Sequence, residues 1–96
     1  MTITRELSQI RDYETLTDFL IFKAQSCIRS KVQHKVYHKT LYNNVLKYLW
    51  IDERYTSGRG LEKVFINKEN GKKATKAQLQ KAVKMALADT EKELGL

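Results

Sequence analysis

No proline occurs anywhere in the 96 residues, and this absence constrains the fold more than any single motif does. Proline is the strongest breaker of helices, so only glycines and polar clusters are left to punctuate the chain, and long helices become admissible. The clearest interruption is Thr56-Ser57-Gly58-Arg59-Gly60, where two glycines two residues apart make helix or strand costly and mark the place for any hinge.

Ahead of that loop the apolar residues recur at helical spacing. Thr4 can cap a short first helix with Ile3, Leu7 and Ile10 on one edge. Thr15, followed by Asp18, opens a second, along which Leu16, Leu20, Ala24, Cys27, Ile28 and Val32 form the buried stripe. Near residues 37–40 the stripe loses phase, with Val32 and Val36 on one face and Leu41, Val45, Tyr48 and Leu49 on another. This predicts a break, a cap at Thr40 and a third helix to about Ile51, with Trp50 and Ile51 at its buried end. One bent helix over residues 15–51 is the alternative.

Beyond the loop, residues 61–66 are rich in β-formers and lead to Asn70-Gly71, which predicts a hairpin returning near residues 72–74. Thr75 with Gln78 is a capping box, opening a helix whose core edge is Leu79, Val83, Ala86, Leu87, Thr90 and Leu94 and which stops at Gly95. The expected fold is mainly α with a small β-hairpin, an α+β arrangement of about four helices with the hairpin before the C-terminal helix. A chain of this length supports one core, so residues 1–96 are expected to form a single small basic domain.

The longest apolar run, Phe19-Leu20-Ile21-Phe22, ends at Lys23, far short of the ~20 residues a bilayer crossing needs. The N-terminus lacks the apolar centre of a signal peptide, and the lone cysteine, Cys27, has no partner for an internal disulfide. A cytoplasmic protein that does not engage membranes is expected.

The net charge of +7 is unevenly spread. Residues 1–22 sum to −2, residues 23–50 to +6 with no acidic side chain, and residues 51–96 to +3. Six cations without an acid cannot be neutralised by helix pairs, so the field points outward and attracts a polyanion.

Catalytic and metal chemistry find little to work with. Cys27 and His38 are eleven residues apart, ~16 Å along a continuous helix, too far to share an ion. His34 and His38 alone have chelating spacing, and no nearby ligand completes a set. The hydroxyls sit at caps and loops without a positioned base, and Gly58-Arg59-Gly60 lacks the lysine and hydroxyl of a phosphate-cradling loop. No enzyme activity, metal or cofactor is expected.

What remains is a basic and aromatic set. Lys31, Lys35 and Lys39 recur every four residues, with His34 and His38 beside them and Tyr37, Tyr42, Tyr48 and Tyr55 interleaved or following. Lysines of this kind contact phosphates without reading sequence, and tyrosines stack on unpaired bases. Tyr48 and Trp50 are assigned to packing, Tyr37, Tyr42 and Tyr55 to less buried positions. Arg54, Tyr55 and Arg59 frame the glycine loop, and Lys72, Lys73 and Lys76 form a second basic cluster.

His38-Lys39-Thr40-Leu41 opening a helix, Leu46 and Tyr48 on it, Arg54-Tyr55, Gly58, then Val64 and Asn70-Gly71 before a final helix, resembles the FinO/ProQ family of RNA-binding proteins over residues 38–90. The resemblance implies a basic concave face receiving the 3′ end of a structured RNA stem, with Lys39, Tyr48, Arg54 and Tyr55 at the matching positions. The expected function is non-catalytic nucleic-acid binding, RNA favoured over DNA, through Lys31, Lys35, Lys39, Arg54, Tyr55, Arg59, Lys72, Lys73 and Lys76. The alternative is a small phage- or mobile-element-type inhibitor, for example of a host nuclease or CRISPR effector, that covers an acidic protein surface. A homo-oligomer formed through residues 19–28 is a third possibility.

Overall fold

The computed structural model describes residues 4–26, 33–56 and 60–95, apart from the side chains of residues 54–56, 61 and 62. A 3₁₀ turn, Leu7–Gln9, leads into α1 (Tyr13–Gln25), α2 (His34–Val45), β1 (Leu49–Thr56), β2 (Gly60–Asn67) and α3 (Lys76–Leu94). The α+β class expected from the sequence is present, with three α-helices among the described residues where about four were expected. None of these helices is long and apolar enough to cross a membrane.

The missing helix is the first, which shrinks to the 3₁₀ turn with Glu6, not Thr4, at its N-cap. The next helix starts two residues before Thr15 because Asp12 is the better cap. The Asp12 carboxylate Oδ1 accepts from the Thr15 backbone N–H at 2.8 Å, while Thr15 Oγ1 accepts from the Asp12 N–H at 3.0 Å. Thr15 is thus the third helical residue of a capping box. Asp18, assigned to that cap from the sequence, instead accepts from the Thr4 backbone N–H at 2.5 Å and pins the N-terminal segment to α1. Leu16, Phe19, Leu20 and Ala24 make the buried stripe of α1. Cys27, Ile28 and Val32, expected to extend it, lie outside the described residues.

The predicted break at residues 37–40 does not occur, and α2 runs straight through it. Its buried stripe is Tyr37, Leu41, Asn44 and Val45, at spacings of four, three and one. The phase looked broken because Val36 belongs to the solvent side, 45% exposed, while Tyr37, expected near the surface, is 5% exposed. Asn44 occupies an apolar-stripe position because it is satisfied there: its amide donates to Thr90 Oγ1 at 2.9 Å and to Glu93 Oε2 at 3.3 Å on α3.

Past Val45 the chain turns and enters β1, so Trp50 and Ile51 end no helix. β1 pairs antiparallel with β2, Trp50 opposite Ile66 and Ile51 opposite Phe65, up to Thr56 opposite Gly60. The hairpin therefore uses the earlier of the two turn signals. The later one still bends the chain: Gly71 has φ +67°, and its N–H donates to the Asn67 carbonyl at 2.9 Å. The expected return strand is reduced to one bridge, Ile66 to Lys73, followed by the Ala74 N–H donating to the Phe65 carbonyl at 2.9 Å.

α3 matches its prediction: Thr75 caps, Gln78 closes the box, and Gly95 takes the left-handed conformation at φ 70°. Its buried residues are Leu79, Ala82, Val83, Ala86 and Thr90. These meet α2 on one side, and the Gln80 side-chain amide donates to the Ser8 and Ile10 carbonyls at 3.3 and 3.1 Å. One apolar core joins α1, α2, Leu49, Phe65 and α3. Strand alternation puts Trp50 on the face away from that core, 54% exposed, against the expectation that it packs.

Candidate nucleic-acid interface

The basic residues of α2 do not surround the helix. At about 100° per residue, Lys35 and Lys39 fall within ~60° of Tyr42 around the axis, on the flank it shares with His38. Lys35 and Lys39 are exposed; His38 and Tyr42 are half-buried. The His38 and Tyr42 rings lie 6.3 Å apart and nearly parallel, at 18°. Burial, together with the neighbouring Tyr13 and a hydrogen bond to its side chain, raises the Tyr42 hydroxyl above its ordinary pKa. Tyr13 in turn packs on Phe65 of β2 with ring centroids 5.2 Å apart. An aromatic ladder, His38, Tyr42, Tyr13, Phe65, therefore crosses from α2 over the start of α1 to the hairpin.

The far end of the ladder is also basic. Arg11, Lys63 and Lys73 line one narrow cleft of about 40 Å³ together with Asp12, Tyr13, Val64, Phe65, Ala74 and Leu79. Three cations against one carboxylate leave it positive. Burial acts to raise the Asp12 pKa, but the two hydrogen bonds from Thr15, aided by the charges of Arg11 and Lys73, outweigh it and hold the carboxyl below its ordinary value. Lys76 opens α3 one turn before Gln80, on the side of the helix that clasps residues 8–10. A larger depression of about 210 Å³, lined by Tyr48, Asn67, Glu69, Gln78, Lys81 and Met85 among others, carries one cation and one anion and has no comparable bias.

Of the residues expected to bind, Lys35, Lys39 and Lys73 are brought to the two ends of the ladder, and Lys72 and Lys76 are exposed beside Lys73 in sequence. Arg54 and Tyr55 lie in β1, opposite Glu62 and Leu61 in register, and their side chains lie outside the described residues, as do Lys31 and Arg59 entirely. Tyr48, a matching position of the FinO/ProQ resemblance, is committed elsewhere, its hydroxyl donating to Asp89 Oδ2 at 2.5 Å on α3. His34 is exposed at the start of α2, and among the described residues no group of three or more His, Cys, Asp or Glu side chains is placed to hold a metal.

The set expected from the sequence to bind left out Arg11, Tyr13 and Lys63, although Lys63 opens the second basic stretch. Arg11 sits in the segment counted as acidic, yet of its four acids Asp12 is turned into a helix cap and Asp18 into the tie to Thr4. No local signal joins residue 11 to residues 63 and 73; only the packing of α1 against β2 does. No protein-family model, curated protein or solved structure matches the chain.

Proposed function

We propose that this protein is a non-catalytic nucleic-acid-binding module that lays a single strand along the His38–Tyr42–Tyr13 ladder between two groups of cations. The observation that carries this reading is the juxtaposition itself. Half-buried aromatic rings offer stacking surfaces, and Lys35 and Lys39 at one end with Arg11, Lys63 and Lys73 at the other neutralise phosphates, the combination used for strands with unpaired bases. The preference for RNA over DNA rests on the resemblance of residues 38–90 to the FinO/ProQ family. Equilibrium binding of a fluorescein-labelled single-stranded RNA tests it. Replacing Lys35 and Lys39 with glutamine is expected to weaken binding uniformly across sequences, and unchanged affinity in that variant contradicts the reading.

One observation favours a second reading. Trp50, 54% exposed on the hairpin, is the type of side chain that anchors protein interfaces. In that case the basic face covers an acidic partner, as in a phage- or mobile-element-type inhibitor. A stoichiometric protein complex that survives nuclease treatment and is lost in Trp50→Ser would support it.

A further inference from the structure

We propose that the cleft between Arg11, Lys63 and Lys73 seats a terminal phosphate of the bound strand, an inference that rests on the nucleic-acid reading and names the group that fixes the strand's end. The three cations come from three separate segments: the residue before the α1 cap, the middle of β2, and the bridge that follows the Gly71 turn. Packed around one small opening they repel one another, and a bound anion removes that repulsion. Asp12 is the single carboxylate in the lining. Its Oδ1 already accepts from the Thr15 N–H at 2.8 Å and the Thr15 hydroxyl at 2.7 Å, so it is held toward the helix.

Size narrows the ligand. A cleft of about 40 Å³ admits a group of a few water-sized atoms, the scale of a phosphomonoester's free oxygens. An internal phosphodiester must pass a sugar out on each side, and a nucleoside is far too large. Phe65, Ala74 and Leu79, all at most 6% exposed, form the buried apolar part of the lining. Tyr13 both lines this cleft and bonds to Tyr42. A strand anchored by its terminal phosphate therefore meets the aromatic ladder with its first bases and Lys39 and Lys35 with its next phosphates.

The test compares one RNA sequence with a 5′-phosphate, a 3′-phosphate or neither, on the wild-type chain and on the Arg11→Gln, Lys73→Gln double variant. Both residues are exposed, so the variant keeps the fold, which circular dichroism checks. One phosphorylated end should bind about tenfold more tightly than the unphosphorylated strand, the scale of charge-assisted hydrogen bonds to one group, and the variant should lose that preference. Equal affinity for all three strands, or a preference that survives in the variant, overturns the proposal. If no RNA binds, the nucleic-acid reading falls, and inorganic phosphate titrated into ¹⁵N-labelled protein decides the cleft on its own. Amide shifts localised to Tyr13, Val64 and Ala74 in the wild type and lost in the variant uphold the anion seat; shifts that are absent or scattered overturn it.

Discussion

Asn44 ties the helix that carries Lys35 and Lys39 to α3, and its removal should show how firmly that flank is held. The residue is 2% exposed and donates to two acceptors, the neutral Thr90 hydroxyl and the charged Glu93 carboxylate, while Thr90 itself is fully buried and donates to the Ala86 carbonyl at 2.7 Å. Asn44→Ala deletes both bonds. A neutral bond contributes ~0.5–1.5 kcal/mol and one to a charged group ~1.5–3 kcal/mol. The Glu93 bond is long and partly solvated, so a loss of ~2–3 kcal/mol is expected, which for a domain of this size lowers Tm by on the order of 10 °C. Thr90→Val keeps the shape and removes the shared acceptor, at a cost of about 1–2 kcal/mol. Urea titrations followed by far-ultraviolet circular dichroism should give a coupling of about 1 kcal/mol between the two sites in a double-mutant cycle. Additivity within ~0.3 kcal/mol would refute the argument that the pair is one buried network.

The Asp12 cap makes stability depend on acid. Its carboxyl is held below its ordinary 3.8 in the folded protein, so its contribution is complete above that value and disappears as the pH falls through the folded pKa. Asp12→Asn still caps the helix and should flatten the decline in denaturation free energy between about pH 5 and pH 2. An unchanged acid limb would count against the cap. On the hairpin, Phe65→Ala should cost ~3–5 kcal/mol in chemical denaturation, while Trp50→Ser should stay within about 0.5 kcal/mol. The reverse order would mean that the strand faces are misassigned.

How much of this was legible depended on whether the deciding contacts were local. α3 was readable because its cap, its stripe and its terminal glycine all lie within one element. α2 was not, since the stripe includes Tyr37 and Asn44, and an asparagine reads as core only once Thr90 and Glu93 are seen beside it. The choice of hairpin was also non-local: residues 61–66 were matched to a return strand near residues 72–74, whereas the strand that pairs with them is Leu49 to Thr56, whose first residues, to Ile51, read as the end of a helix. Trp50 changed from core to surface with that single reassignment. The same division holds for the site. The spacing of Lys35 and Lys39 is a helical fact visible in the sequence, whereas the meeting of Arg11, Lys63 and Lys73 is set by tertiary packing and by acids that are spent on structure nearby.

The salt dependence of RNA binding tests the central claim most directly. With about six phosphates neutralised, log K should fall against log salt with a slope of about −4 to −5, and the Lys35→Gln, Lys39→Gln variant should reduce its magnitude by about 1.4. A flat salt response, or a wild-type slope that the variant leaves unchanged, would contradict the account.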